Sequence, residues 1–519
     1  MRPFDSSGEF RPATDGLRRL AVKGAAATLL SQALSLSIQV IATVVLARLL
    51  TPKDFGLVAM VTTFSLLLLN FGVNGFADAV LQRQDFNHAL ASNMFWITVG
   101  SGFLLTIGFA ASGSLLAQFF HEPLVAPVAA AISLSIVITS AAVIHLALLM
   151  RAMRFSLVSA NDVFARMVSV LVSVLLARAG HGYWALVGGV VAQPLSQTLG
   201  AWILCRWLPG LPRRVDGTGS MVRFAIHVYG RFSLNYFARN TDNLLVGWRF
   251  SAQALGFYKK AYDLFALSFV MQSLTPVAVS ALSRLSKQPE QYRRYLMSAL
   301  SIAGFLGMGL GAAFTLIGHD TILLLLGPEW APSGRIFSLF GPGIGAMFLN
   351  GIHGWIHLSL GRGDRWLRWG IIEFIITAAL FLLLLPWGPA GIAAAWSISL
   401  WILTIPSLWY AGRPMQIGFG SMVSSLWKYV PASLIAAFIT AAIARSLPAA
   451  LRSASDPVGT LFRMVTVFGI FSGLYLGGVI VMHRGCAPIY QLVALLREMV
   501  PWNKLSKSAP VHVAPETLP

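Results

Sequence analysis

The sequence predicts an all-α polytopic membrane protein. Three observations carry that expectation. Only 11% of the 519 residues are charged and 56% are hydrophobic, whereas a soluble domain carries about 25% charged residues. The apolar residues gather in runs of the ~20 residues that a helix needs to cross a bilayer. The chain also repeats itself at an interval of six such runs.

Fourteen spans are expected, over 24–49, 55–80, 89–119, 125–149, 156–178, 183–207, 224–249, 255–283, 295–318, 333–360, 367–386, 389–411, 424–446 and 460–482. Gly, Pro, Asn or charges interrupt several of them, and the seventh is polar enough for hydropathy alone to miss it. About twenty mostly polar residues precede the first run. That run is too long for the apolar core of a signal peptide and no small-residue cleavage site follows, so no cleavable leader is expected.

Orientation follows from the basic residues of the loops, because cytoplasmic loops collect Lys and Arg. Arg83, Arg151 and Arg154, Arg206, Arg213 and Arg214, Arg284, Lys287, Arg293 and Arg294, then Arg362, Arg365 and Arg368 all follow even-numbered spans. The opposite turns at 121–123 and 386–390 carry no Lys or Arg. Both termini are therefore expected in the cytoplasm, with the Arg-bearing connection 445–463 as the exception. Lys and Arg outnumber Asp and Glu by 38 to 19, a formal net charge of +19. In a soluble chain that excess points to nucleic acid. Here loop topology accounts for most of it, and no nucleic-acid partner is expected.

The repeat is visible in two pairs of landmarks. Ala47 to Gly56 precedes the second span and Gly247 to Gly256 precedes the eighth, with the glycines 200 residues apart. Arg151 and Arg154 follow the fourth span, and Arg362 and Arg365 follow the tenth, both 211 residues on. Six spans preserve orientation, so two lobes related by an axis along the membrane normal are expected, with a substrate site between them. The organisation is a cytoplasmic tail 1–23, an N-lobe 24–207, a linker 208–223, a C-lobe 224–411, two extra spans within 424–482 and a tail 483–519. That tail has an amphipathic pattern at Ile489, Leu492, Leu495, Leu496 and Val500, expected on the inner membrane surface. Cys205 and Cys486 both lie at cytoplasmic span ends, where a disulfide is not expected. No metal-ligand spacing, phosphate-binding glycine loop or paired extramembrane carboxylates occur, so neither a cofactor nor an enzymatic role is expected.

The polar residues inside spans are the functional candidates, since a charge at the bilayer centre costs roughly 3 kcal/mol on insertion scales. The seventh span carries Arg231, Asn235, Arg239, Asp242 and Asn243 on one helical face. One reading pairs Arg239 with Asp242 and uses the Asn side chains as interhelical glue. The favoured reading is a cationic cavity wall, because one Asp cannot neutralise two Arg. Two guanidinium forks also suit a diphosphate. In the second span Asn70, Asn74 and Asp78 recur every four residues beside Gly72 and Gly75, which suits either helix packing or the cavity. The eighth span has Lys259, Lys260 and Asp263. One lysine serves as a cavity cation or, equally, as an interfacial anchor, since adjacent residues point apart. Arg48 ends the first span, where snorkelling is the favoured reading. Asp162 and Arg166 suit a local ion pair. Asn350, His353 and His357 share a face of the tenth span, and Glu373 stands alone in the eleventh. Glu373 with either His is a candidate for coupling to protons or sodium, with hydrogen-bonded packing as the alternative.

Leu46-Ala-Arg-Leu-Leu-Thr-Pro-Lys-Asp-Phe-Gly-Leu-Val-Ala59, Ala79-Val-Leu-Gln-Arg-Gln-Asp85, Gly182-Tyr-Trp-Ala-Leu-Val187, Arg239-Asn-Thr-Asp-Asn-Leu-Leu-Val-Gly247, Ala254-Leu-Gly-Phe-Tyr-Lys-Lys-Ala-Tyr262 and Leu326-Gly-Pro-Glu-Trp-Ala-Pro332 form a set of motifs. Together they resemble the polysaccharide-transport branch of the MOP superfamily, the Wzx-type flippases related to colanic-acid and lipopolysaccharide exporters. The similarity runs from about residue 40 to about residue 410. The chain departs at Phe71-Gly-Val-Asn-Gly75, where family members often have Leu-Gly-Leu-Gly. The resemblance implies fourteen helices that move an undecaprenyl-diphosphate-linked oligosaccharide outward across the bacterial inner membrane. Membrane lipids, and the polymerase and export proteins of the same pathway, are the implied partners. A drug or cation antiporter of the same superfamily is the alternative, though it wants an acidic cavity. A non-transporting subunit of a secretion complex is another.

Overall fold

The computed structural model describes residues 3–5, 7–10, 17–83, 85–266, 274–446, 448 and 456–499. Within them the side chains of residues 17–22, 25, 74, 231, 234, 235, 238 and 494–499 are outside the description. The described residues are helical apart from turns and two isolated β-bridges, Phe4 with Phe10 and Glu9 with Asn87. Among the described residues ten helical segments are long and apolar enough to cross a membrane. The expected spans at 183–207, 224–249 and 255–283 fall outside those ten. Helices Tyr183–Cys205 and Thr218–Arg249 occupy the first two, where polar residues lower the hydropathy, not the helicity. The third is helical over Ala252–Ala266 and Thr275–Leu285, and residues 267–273 within it lie outside the description.

The chain divides into two compact units. The first comprises residues 1–264, 319–337 and 374–395. Its helices are α1 (Leu17–Ala47), α2 (Pro52–Phe71), a π-helical turn Gly72–Ala77 leading into α3 (Asp78–Gln82), α4 (His88–Ala111), α5 (Gly113–Phe120), α6 (Val125–Arg151), α7 (Phe155–Arg178), α8 (Tyr183–Cys205), α9 (Thr218–Arg249) and α10 (Ala252–Ala266). α6 packs against α2, α4 and α8, and α7 against α1 and α8. Lipid is as apolar as leucine, so these contacts rest on close approach and interhelical hydrogen bonds. A Cβ on Gly102 would lie 2.1 Å from Ser140 Oγ, and one on Gly200 would lie 1.9 Å from Asn161 Oδ1. Thr106 Oγ1 donates to Ser133 O at 3.1 Å, Ser169 Oγ to Gly189 O at 2.8 Å and Trp202 Nε1 to Ala141 O at 2.9 Å.

Two helix starts explain the repeated motif. Thr51 caps α2 with a capping box: its amide and hydroxyl donate to Asp54 Oδ2, at 2.9 and 2.7 Å, and Pro52 follows at the first helical position. Ser251 Oγ accepts from Ala254 N at 3.2 Å at the start of α10. The caps, like the glycines five residues later, are 200 positions apart.

The N-terminal segment packs where a free tail is expected. Phe4 is buried against Phe86, His88 and Trp207. His88 N donates to Gly8 O at 2.8 Å. The Arg151 guanidinium lies 5.0 Å from the Phe10 ring and 5.2 Å from Phe86 while donating to the carbonyls of Val80 and Arg83. The segment thus closes the Arg151 end of α6.

The second unit comprises residues 265–318, 338–373 and 396–519. It includes α11 (Thr275–Leu285) and parts of α12 (Pro289–Leu326), α13 (Ala331–Ser359), α14 (Gly363–Leu384) and α15 (Gly388–Gly412). α16 (Phe419–Leu426), α17 (Tyr429–Arg445), α18 (Pro457–His483) and α19 (Ala487–Met499) follow. α12 and α13 cross through two small-xxx-small motifs, Gly307/Gly311 and Gly341/Gly345. A Cβ on Gly307 would meet Gly345 O at 2.8 Å, and one on Gly311 would meet Gly345 N at 2.8 Å. The extra pair α17 and α18 is pinned to α12 by tyrosines. Tyr429 Oη and Ser301 Oγ are 2.7 Å apart, and Tyr475 Oη donates to Phe305 O at 2.7 Å. In the connection 445–463, residues 447 and 449–455 lie outside the description. α18 starts at Pro457, capped by Asp456 Oδ2, which accepts from Gly459 N at 2.9 Å.

Candidate functional site

α9 has two opposed faces. Tyr229 Oη donates to Leu67 O at 3.0 Å and Tyr236 Oη to Thr63 O at 2.8 Å, so positions seven apart dock one face on α2. Gly75 in the π-helical turn lets α9 approach further, since a Cβ there would lie 2.7 Å from Ala225 O. π-turns of this kind concentrate at functional sites. At 3.6 residues per turn, Arg231, Asn235 and Asp242 fall on the side opposite the tyrosines, while Arg239, three residues after Tyr236, falls on the flank between the two faces. Arg239 is exposed there. The side chains of Arg231 and Asn235 lie outside the description.

Toward the end of α9 the face meets α10. Asp242 is fully buried, accepting from Tyr258 Oη at 2.7 Å and from Asn243 N at 2.8 Å. Asn243 is buried beside it. The charges of Asp242, Arg239 and Asp263 all fall on Tyr262, so these residues form one cluster. Asp242 is therefore anchored by a hydroxyl sixteen residues on, a partner no local spacing announces. We expect Tyr258→Phe to lower the thermal midpoint of the detergent-purified protein, because a buried carboxylate that loses a donor costs about 1.5–3 kcal/mol. An unchanged midpoint would show that Asp242 has another stabilising partner.

The two lysines of α10 divide the roles. Both pair with Asp263, Lys259 through Oδ1 and Lys260 through Oδ2 at 3.7 Å. Lys260 is 7% exposed, with its ammonium 4.1 Å from the Phe55 ring centroid. Lys259 is more open, its side chain 32% exposed. Six basic residues (Arg223, Arg231, Arg239, Arg249, Lys259 and Lys260) against two carboxylates (Asp242 and Asp263) leave a formal charge of +4 on this pair of helices.

Other candidates stand apart from that cluster. Asp78 is exposed on α3, and the Asn74 side chain lies outside the description. Asn70 Nδ2 donates within its own helix to Leu66 O at 2.7 Å. Arg48 donates to the carbonyls of Leu324 at 2.8 Å and Leu325 at 3.3 Å. These belong to the last turn of α12, so a guanidinium caps a helix C-terminus. Arg166 and Asp162 form an ion pair at 3.0 Å on α7.

In the second unit Asn350, His353 and Glu373 come together. Asn350 Nδ2 donates to Glu373 Oε1 at 3.2 Å, and His353 Nδ1 contacts Asn350 O. Ser407 Oγ reaches Asn350 Oδ1 at 3.5 Å. His357 follows one turn along α13, its ring centroid 6.1 Å from His353, against Tyr410. His353 and His357 are buried and Glu373 is half-buried. Among the described residues no group of three or more His, Cys, Asp or Glu is placed to hold a metal ion.

Sequence comparison finds relatives over about three fifths of the chain. The chain is 20% identical over 343 residues to the succinoglycan biosynthesis transport protein ExoT of Rhizobium meliloti (strain 1021), covering 64% of this chain and 68% of that one. It is 22% identical over 323 residues to the lipopolysaccharide biosynthesis protein WzxC of Escherichia coli (strain K12), covering 60% and 65%. It is 23% identical over 316 residues to the teichuronic acid biosynthesis protein TuaB of Bacillus subtilis (strain 168), covering 59% and 64%. The chain thus spans about two thirds of the length of these relatives. The fold is similar to that of the lipid II flippase MurJ in an inward closed conformation, with TM-score 0.66 at 13% identity over 88% of this chain and 100% of that one. An inward-facing multidrug resistance MATE transporter of the MOP superfamily gives TM-score 0.56 at 12% identity over 73% and 94%. Residues 45–335, more than half of the chain, match the family described as "Polysaccharide biosynthesis protein", and the chain belongs to that family of membrane transport proteins.

Proposed function

We propose that this protein flips an undecaprenyl-diphosphate-linked oligosaccharide outward across the bacterial inner membrane by alternating access. The observation that carries the proposal is the exposed Arg239 on the flank of α9 beside its α2-docked face, with the partly open Lys259 on the adjoining helix. A diphosphate needs fixed cations in a hydrated wall, and guanidinium forks bind it bidentately. Arg231, Asn235, Arg239 and Lys259 take the phosphates in this reading. Asp242, Asn243, Lys260 and Asp263 hold the cation-bearing helices in register, and Asn74 and Asp78 extend the wall along α2 and α3. Arg48 contributes by fixing the end of α12. Relatives described as transport or biosynthesis proteins for succinoglycan, lipopolysaccharide and teichuronic acid support a glycan substrate, and the fold of a lipid II flippase supports a lipid-linked one. The drug antiporter alternative wants an acidic wall, which this helix pair does not supply.

The reading includes fourteen spans, two six-span lobes with α17 and α18 outside them, and both termini in the cytoplasm, as the loop arginines favour. The polyprenyl tail remains in lipid beside α17 and α18, and α19 lies on the inner surface. The polymerase and export proteins of the pathway receive the product. Glu373, with Asn350, His353 and His357, couples a proton or sodium ion to the return step, since a lone carboxylate in a span is a functional group by default.

Proteoliposomes holding the full chain test both parts. The probe is an undecaprenyl-diphosphate-linked disaccharide carrying nitrobenzoxadiazole, whose outer-leaflet share dithionite bleaches. Wild-type vesicles are expected to expose the probe faster than empty ones, and an imposed proton or sodium gradient to change the rate. Glu373→Gln is expected to remove that response while leaving gradient-free exchange. Rates equal to those of empty vesicles under every gradient overturn the transport reading. A gradient response that survives in Glu373→Gln overturns the coupling role.

A further inference from the structure

The repeated motif closes on itself in space. A Cβ built on Gly56 would lie 1.6 Å from Ala252 O, and one built on Gly256 would lie 1.9 Å from Pro52 O. The contact is reciprocal: 52 meets 256 and 252 meets 56, each pair offset by 200 positions. No Cβ fits at either glycine, because the obstacle is backbone rather than a movable side chain. α2 and α10 therefore cross main chain to main chain at their capped starts. Nothing in lipid forces helices together this tightly except close packing between small residues.

The crossing is sealed from one side by Trp330. That indole is fully buried, edge-on to Phe55 at 5.4 Å and to Phe257 at 6.1 Å. Phe55 and Phe257 flank the two glycines in sequence. Trp330 Nε1 donates to Ala47 O, the last carbonyl of α1, at 2.9 Å. Arg48 in turn donates to the last carbonyls of α12. Each helix end is thus capped by the chain that follows the other, and orphan carbonyls on both sides are satisfied. Lys260 lies over Phe55, one turn beyond Gly256. Movement of α10 away from α2 carries Lys259 and Lys260 with it and lifts Lys260 off Phe55, so opening the crossing also moves the lysines.

We infer that the Gly56–Gly256 crossing, with Trp330 as its wedge, is the seat on which the outer end of the transport path closes, and that it opens in each cycle. The inference rests on the transporter reading above for its function, and on the loop arginines for the assignment of this end as outer. Two small residues at a reversible crossing give a surface with no side-chain interdigitation to undo, whereas a permanent helix pair has no need of a separable wedge.

The test uses the full chain in proteoliposomes with spin labels at Lys53→Cys and Gln253→Cys, both exposed beside the crossing, in a Cys486→Ser background. Two separations are expected in the wild type, with the shorter dominant. Gly56→Ala and Gly256→Ala are each expected to abolish the shorter one. A reducible bismaleimide joining positions 53 and 253 is expected to bring flux of the labelled disaccharide lipid down to that of empty vesicles, and reduction to restore it. This second arm needs no glycine variant, so it stands even where such a variant fails to fold. An unaltered short separation in both alanine variants, or full flux through the linked protein, overturns the seat. The separations are read without substrate. A chain that opens and closes here but moves no probe lipid leaves the seat standing and overturns the transport reading instead.

Discussion

Arg239→Ala is expected to slow probe flipping by about tenfold to a hundredfold in proteoliposomes. The estimate follows from charge-assisted hydrogen bonds worth about 1.5–3 kcal/mol each and from 1.4 kcal/mol per tenfold. The side chain is exposed on α9, on the flank beside the face its tyrosines dock on α2. Truncation therefore removes a ligand-facing group without opening a cavity. Its positive charge falls on Tyr262 together with the negative charges of Asp242 and Asp263. Loss of that charge makes the cluster more acidic, which disfavours an anion a second time. Arg239→Lys separates the two effects. It retains the charge and loses the fork, so it is expected to fall between wild type and alanine. Arg166→Ala supplies the contrast: that guanidinium is held by Asp162 on α7, and its removal is expected to leave flux unchanged. Wild-type rates in Arg239→Ala, at equal protein in the vesicles, remove this residue from phosphate recognition.

Periodicity and charge made much of the fold legible. Apolar runs of membrane length located most helices, including Tyr183–Cys205 and Thr218–Arg249, which are too polar to pass as spans on hydropathy. The glycines 200 residues apart were visible as a repeat, and their meeting gives the repeat a physical cause: a capped start and a bare backbone are what a main-chain crossing requires. The helix carrying Arg239 and Asp242 was also legible, because the interval between its polar residues is helical and α9 is continuous from Thr218 to Arg249. What could not be read was partnership at a distance. Tyr258 is ordinary in sequence, and only the packing of α10 on α9 makes it the donor to Asp242. Arg48 reads as a snorkelling end residue, yet carbonyls some 280 positions away determine where its guanidinium goes. Phe4 and Phe10 lie in a polar leader whose composition resembles a free tail. Their packing depends on Phe86, His88, Arg151 and Trp207, which three separate stretches of the chain supply.

The largest expected loss of stability falls on Trp330→Ala. The side chain is fully buried, and truncating a buried Trp costs about 3–5 kcal/mol through lost contacts and the cavity left behind. The hydrogen bond to Ala47 O adds about 1 kcal/mol, because the carbonyl at the end of α1 then lacks a protein donor. Trp330→Phe isolates that smaller part by keeping an aromatic wedge between Phe55 and Phe257 while deleting the N–H. The thermal midpoint of the detergent-purified protein is expected to fall in the order wild type, Phe, Ala. Membrane proteins of this size unfold irreversibly, so the comparison is made at one scan rate. The wedge and the glycines hold the same crossing closed by different means. A Cβ at Gly256 forbids contact, whereas loss of Trp330 removes what holds the contact shut. The spin-label separation across positions 53 and 253 is therefore expected to lose its short population in Gly256→Ala. In Trp330→Ala the same population is expected to persist at a reduced fraction. A thermal midpoint in Trp330→Ala equal to wild type would mean that the indole fills space without bearing on the closed state. The reciprocal caps of α1 and α12 would then have to hold through Arg48 alone.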